Sequence, residues 1–165
     1  MAKLIIIRGP LGVGKTTIAK NLASALAAKY FSIDQVLSEN NLDFVDEKIG
    51  CIAEQSFISA NEIILPKIKN CLKKGTTVVV DGNFYHKKQI EHLIENTPNT
   101  TFVFTLKASL NTCIERDKKR ELSYGKDAAE AVYNMVSSFD YGEAIDTENL
   151  TQDQVVKKVM SSLEK

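Results

Sequence analysis

The sequence predicts an α/β protein, a parallel sheet covered by helices on both faces. Short aliphatic or β-branched runs alternate along the chain with segments of helical periodicity, the pattern of βαβ units. The first run, Leu4 to Ile7, is continuously apolar and ends in a glycine-rich turn, as expected of a strand buried on both faces. Size agrees. The 165 residues, 44% hydrophobic and 25% charged, suit one domain over 1–165 with an ordinary core. No repeat, low-complexity block or Pro/Gly-rich linker divides it.

After the first strand, Ile18, Leu22, Ala25 and Leu26 recur at helical spacing between Lys15 and Lys29. Tyr30 to Ile33 reads as a second strand ending at Asp34. A long helix is expected from about Asp46 to Lys74, with Ile49, Ala53, Phe57, Ala60, Ile64, Ile68 and Leu72 on one side. Pro66 should kink or divide it. Gly75 then precedes a third strand, Thr76 to Val80, which ends at Asp81. Lys87 to Glu95 is helical, and Pro98 with Asn99 makes a turn. Thr101 to Leu106 is a fourth strand, followed by a helix over about Ser109 to Lys119. Glu121 to Lys126 is a polar loop, and Asp127 to Ser137 is helical. A weak strand near Ala144 and Ile145 leads to a last helix capped by Thr151, with Val155, Val156, Val159, Met160 and Leu163 as its buried stripe.

Charge and cysteine content exclude several classes. Lys+Arg and Asp+Glu both number 21, so the formal net charge is zero and nothing attracts the whole chain to nucleic acid or an anionic membrane. Cys51, Cys71 and Cys113 are odd in number and lack a CxxC pair, which argues against a disulfide framework or structural zinc. The four-residue apolar run near the N-terminus is too short for a secretory signal or a membrane span. A reduced, cytoplasmic protein without membrane contact is the expectation. Only Arg8, Arg116 and Arg120 among the basic residues are arginines.

The chemistry concentrates at Gly9-Pro10-Leu11-Gly12-Val13-Gly14-Lys15-Thr16, which fits the Walker A pattern GxxxxGK[ST] between a buried strand and a helix. Its glycines let backbone N–H groups wrap a phosphate, and the helix N-terminus adds positive potential. Lys15 would then reach the β- and γ-phosphates of a nucleotide, and the Thr16 hydroxyl would bind Mg²⁺. The pattern arises by chance in roughly one chain of this length in a few hundred. Thr17 stands where a dinucleotide-binding GxGxxG would need its third glycine, which disfavours that alternative.

Ligands of such sheets sit at the carboxyl ends of the strands, where Gly9, Asp34 and Asp81 fall. Asp81 occupies a Walker B position and can hold Mg²⁺, the bland alternative being a turn or cap. Asp34 can accept the proton of a substrate hydroxyl, or merely cap the next helix. Arg116 and Arg120, four apart, share a helical face at the edge of a polar loop. They suit the oxygens of a transferring phosphoryl group, or form a solvated helix end. Asn83, Phe84, Tyr85 and His86 follow Asp81; the rings can stack on a flat acceptor or simply be partly buried. His92 reads as a surface residue.

On Gly9 to Thr17, Ser32-Ile33-Asp34, Val78 to Asn83 and Ile114 to Arg120, the chain resembles P-loop kinases of the nucleoside-monophosphate-kinase type. Within that group it is most similar to small single-domain kinases related to polynucleotide kinase, chloramphenicol phosphotransferase, zeta toxin and seryl-tRNA kinase. The resemblance implies a three-layer P-loop fold with a five-stranded parallel sheet of order 2-3-1-4-5. It also implies a short lid at about 116–126, ATP as donor, and a nucleotide base lined by Asp146 and Thr147. Adenylate-kinase-like enzymes and shikimate kinases of this group hold acceptor anions with arginines between the second and third strands. Asp34 to Val80 contains no arginine here, although Lys48, Lys67, Lys69, Lys73 and Lys74 lie there. A plain hydroxyl is therefore favoured over a phosphate or carboxylate on the acceptor.

The expected activity is γ-phosphoryl transfer from Mg·ATP to a hydroxyl of a small molecule, by a monomer or homodimer. A nucleic-acid or tRNA-linked kinase is the less favoured alternative, since no basic stripe is present. An ATP-hydrolysing regulatory or interaction module is the alternative of another class. The sequence lacks the DxxG and NKxD of GTPase switches and the LSGGQ-like stretch of transporter ATPases.

Overall fold

The computed structural model describes residues 1–97, 100–121 and 123–164, and the turn expected at Pro98 and Asn99 lies outside the described residues. The elements are β1 (Leu4–Arg8), α1 (Lys15–Ala25), β2 (Lys29–Ser32), α2 (Ile33–Glu39), β3 (Val45–Asp46), β4 (Cys51–Ile52) and α3 (Glu54–Lys73). They continue as β5 (Val78–Gly82), α4 (Lys87–Glu95), β6 (Thr101–Lys107), α5 (Leu110–Lys118), α6 (Lys126–Ser137), β7 (Glu143–Asp146) and α7 (Gln152–Leu163). Five strands form one parallel sheet of order β2-β5-β1-β6-β7. Counting only these strands along the chain, that is 2-3-1-4-5.

Strand periodicity divides the core between the two faces. Leu4 and Ile6 of β1, with Val78 and Val80 of β5, pack against Leu37, Phe57, Ile64 and Ile90 of α2, α3 and α4. Ile5, Ile7 and Val79 point the other way, onto Ile18 and Leu22 of α1 and Val155 and Val159 of α7. A strand enclosed on both sides has no polar face, which accounts for the uninterrupted run of Leu4 to Ile7. All the parallel strands deliver their carboxyl ends to one edge.

Several expectations need correction. Strand β2 stops at Ser32, whose side chain accepts from the Gln35 amide and so caps α2. Asp34 thus lies in the first turn of a helix and does not end a strand. In α1 the buried small residues are Ala19 and Ala23, while Ala25 is exposed. The long helix starts at Glu54, because the preceding residues form a β3–β4 hairpin with Ile49 exposed near its tip. Pro66 leaves α3 undivided from Glu54 to Lys73. His92 is half-buried, 3.4 Å from Asn61 Nδ2. None of the described helices is long and apolar enough to cross a membrane.

Candidate functional site

The glycine-rich loop joins β1 to α1 at the carboxyl edge of the sheet. Gly12 has φ +80°, and a Cβ there would lie 2.0 Å from the Cys113 carbonyl oxygen. Only glycine lets the loop lie this close to α5. Gly14, at φ +102°, starts α1, whose first turn has neither a side-chain cap nor an acidic residue. Its leading N–H groups are therefore taken by no cap and no carboxylate of their own turn, as an anion site requires. Thr17 is exposed in the same turn.

Lys15 is buried and folds back on the loop, its Nζ donating to the Pro10 carbonyl at 2.8 Å. Burial lowers its pKa from the ordinary lysine value, opposed chiefly by the charges of Asp34 and Asp81. Burial raises the pKa of Asp34 in turn, with Lys15 and Arg120 opposing and Asp81 adding to the rise. Lys15 and Asp34, 19 positions apart in sequence, are thus electrostatic neighbours.

Asp81 is the fourth residue of β5, level with Ile7 of β1 and Ser32 of β2. Its Oδ2 accepts from the Thr16 hydroxyl at 2.8 Å, joining the two residues expected to hold the metal. Its Oδ1 accepts from the Tyr30 hydroxyl at 2.7 Å. Burial and this carboxylate raise the Tyr30 pKa, so its phenol stays a proton donor. Sequence reasoning missed Tyr30. Its signal is parity: Tyr30 pairs with Val79, two residues before Asp81 and on the same sheet face.

The donor set suits Mg²⁺. An octahedral ion that keeps several waters takes one or two protein oxygens, and a buried carboxylate beside a threonine hydroxyl supplies them. Among the described residues no group of three or more His, Cys, Asp or Glu forms a metal cage, which a transition metal would favour.

The two arginines of the fourth crossover do not act as one face. Helix α5 ends at Lys118. Arg116 donates from Nη1 and Nη2 to the Oγ1 and carbonyl of Thr147, both at 3.3 Å. The pair lines a cavity of about 240 Å³ together with Val13, Gly14 and Leu150. Arg120, past the helix end, lies 3.9 Å from Asp117 and acts on Lys15 and Asp34. Asp117, also missed, is buried and accepts from Ser123 Oγ and the Tyr124 amide, tethering the loop before α6. Asp146 departs from expectation: it is exposed, accepts from the Glu148 amide and lines a different cavity from Thr147. As the last residue of a strand it faces away from its neighbour.

The third arginine is structural. Arg8 is fully buried at the end of β1, donates to the Val136 and Phe139 carbonyls and Thr105 Oγ1, and lies over the Phe139 ring. Burial lowers its pKa to about 10, so it stays charged at neutral pH.

A second cavity, of about 390 Å³, opens beside the loop. Its wall includes Asp34, Asn83, Tyr85, Leu11, Met135 and Tyr124. The aromatics after Asp81 divide between the core, the hairpin and the cavity, whose wall Tyr85 alone of the three joins. Phe84 is fully buried at φ +49°. The Tyr85 hydroxyl accepts from the Ile52 amide and His86 Nε2 meets the Ile52 carbonyl at 2.9 Å, so both rings dock the hairpin onto the domain. They pack edge-on with Phe57.

Comparison with known proteins agrees with this geometry. A family model described as AAA domain matches residues 5–150. A deoxyguanosine kinase of Bacillus subtilis is 28% identical over 168 aligned positions, covering 87% of this chain and 79% of the relative. A shikimate kinase of Actinobacillus succinogenes is 27% identical, covering 96% of this chain and 90% of its own. Among solved structures, a sugar kinase of Janibacter superposes with a TM-score of 0.81 at 14% identity, over 99% of this chain and 95% of that one.

Proposed function

The chain belongs to the AAA domain family as a P-loop kinase, and on that premise we propose that it transfers the γ-phosphoryl group of ATP to a hydroxyl of a small molecule. One observation carries the reading: Asp34 stands on the wall of the 390 Å³ cavity and is an electrostatic neighbour of Lys15 of the phosphate loop. A carboxylate between an acceptor-sized space and a phosphate-binding lysine is placed for hydroxyl activation. The relatives named deoxyguanosine kinase and shikimate kinase support a small acceptor.

In this reading the residues of Gly9 to Thr17 cradle the phosphates, and the base rests in the cavity lined by Arg116 and Thr147. Lys15 exchanges its contact with the Pro10 carbonyl for phosphate oxygens. Thr16 and Asp81 would hold Mg²⁺, which would neutralise phosphate charge. Asp34 accepts the proton as the acceptor oxygen bonds to the γ-phosphorus and the bond to the β-phosphate oxygen breaks, leaving ADP. Arg120, whose charge reaches both Lys15 and Asp34, stabilises the transferring group. Segment 116–126 serves as lid over one domain, excluding water as a competing acceptor. Three free cysteines accord with a reducing cytoplasm.

The test is ADP release across nucleosides, sugars, antibiotics and RNA ends, with Lys15→Ala as blank. An acceptor-dependent signal lost in the variant is expected. ATP hydrolysis indifferent to every acceptor would refute the reading.

A further inference from the structure

The acceptor cavity is unusual in its charge. Among the described residues of its wall there is no lysine, arginine or histidine, while Asp34 and Asp43 both line it. The rest is chiefly apolar, from Leu11, Leu37, Ile52 and Val132 to Met135. None of the chain's three arginines lines it: Arg8 lies in the core, Arg116 on Thr147, and Arg120 beside Asp117, its charge reaching Asp34 and Lys15 from outside the wall. Lys48, Lys67, Lys69, Lys73 and Lys74 are absent from the wall as well.

The rim repeats the pattern. Val45 of the hairpin and Tyr124 of the loop before α6 line the cavity, yet are 59% and 63% exposed. Large apolar groups left open at the mouth of a pocket are favourable there if an apolar body covers them. At ~30 Å³ for each water, 390 Å³ corresponds to about a dozen water volumes, a space for one small ring system.

From these observations, and resting on the kinase reading above, we infer that the acceptor is an alcohol with an apolar ring body and no anionic group. An acidic acceptor would bring its charge beside Asp34 and Asp43 with no cation of the wall to meet it. Such an unpaired, like-charged placement costs about 100-fold or more in binding.

Matched pairs test this: methyl shikimate against shikimate, and the four deoxynucleosides against their 5′-monophosphates, within a broader panel of neutral and acidic alcohols. The readouts are acceptor-stimulated ADP release and phosphorylated product by mass spectrometry. Stimulation by neutral members, with kcat/KM at least about 100-fold below them for the acidic partners, is the expected result. In Met135→Lys, which adds a cation to the wall, the acidic member should gain at least tenfold relative to its partner. An acidic alcohol used as well as or better than its neutral form overturns the inference and leaves the kinase reading standing. If no alcohol of either kind stimulates ADP release, the kinase reading falls and takes this one with it.

Discussion

Replacing Gly12 by alanine tests how the phosphate loop is built. The added Cβ would lie 2.0 Å from the Cys113 carbonyl oxygen, so loop and helix must part by about 1 Å to reach even the shortest tolerated contact. The residue also sits at φ +80°, where an L side chain costs ~1–2 kcal/mol. Overpacking adds ~1–3 kcal/mol, for a total of about 2–5 kcal/mol. In a chain of this length that lowers Tm by roughly 4–20 °C. A displacement of 1 Å in a site that depends on alignment costs about 100-fold in turnover, and ATP affinity should fall with it. Gly142→Ala is the control. Its Cβ would meet the Val103 carbonyl at 2.1 Å, also at positive φ, but in the turn before β7, away from the phosphate loop. Both variants should melt early by scanning calorimetry, and only Gly12→Ala should lose ATP binding by isothermal titration. Wild-type ATP affinity in Gly12→Ala, or equal loss in Gly142→Ala, would show that the close approach to Cys113 does not shape the phosphate loop.

Asp34→Asn should lower kcat by about 10²–10⁴ while sparing ATP affinity, as measured by steady-state kinetics and titration. Because burial raises the Asp34 pKa despite Lys15 and Arg120, the base is lost as pH falls through that raised value. Wild-type kcat should therefore decline on the acid side at higher pH than an ordinary carboxylate would give, and the variant should lack that limb. Tyr30→Phe removes the donor to Asp81 Oδ1 and should raise the Mg²⁺ needed for half-maximal turnover about 10-fold, with the fold intact by circular dichroism. Arg8→Met strips the Val136 and Phe139 carbonyls of their charged donor and should cost roughly 3 kcal/mol in urea denaturation.

Local chemistry was legible wherever the chain itself carries the constraint. Loop Gly9 to Thr16 is contiguous, so its spacing alone specified a phosphate cradle between strand and helix. Unbroken apolar runs likewise specified buried parallel strands, because an enclosed strand has no polar side to alternate with. The β3–β4 hairpin was not legible: its strands are two residues each and their stability comes from docking on Tyr85 and His86. Both side chains serve that docking, and Tyr85 also lines the cavity beside Asn83, so proximity to Asp81 pointed to the cavity wall but not to the hairpin these rings support.

The phosphate end of the site was readable from the order of residues: a Walker A loop, an aspartate on the third parallel strand, and a fold to bring them to one edge. The division of the remaining polar groups came from packing between distant segments. That packing put Arg8 in the core, Arg116 on Thr147 and Arg120 toward Lys15, and it set Tyr30 against Asp81 across two strands. The physical reason is range. Backbone geometry fixes where neighbours in sequence point, whereas burial and charge partners come from segments tens of residues away.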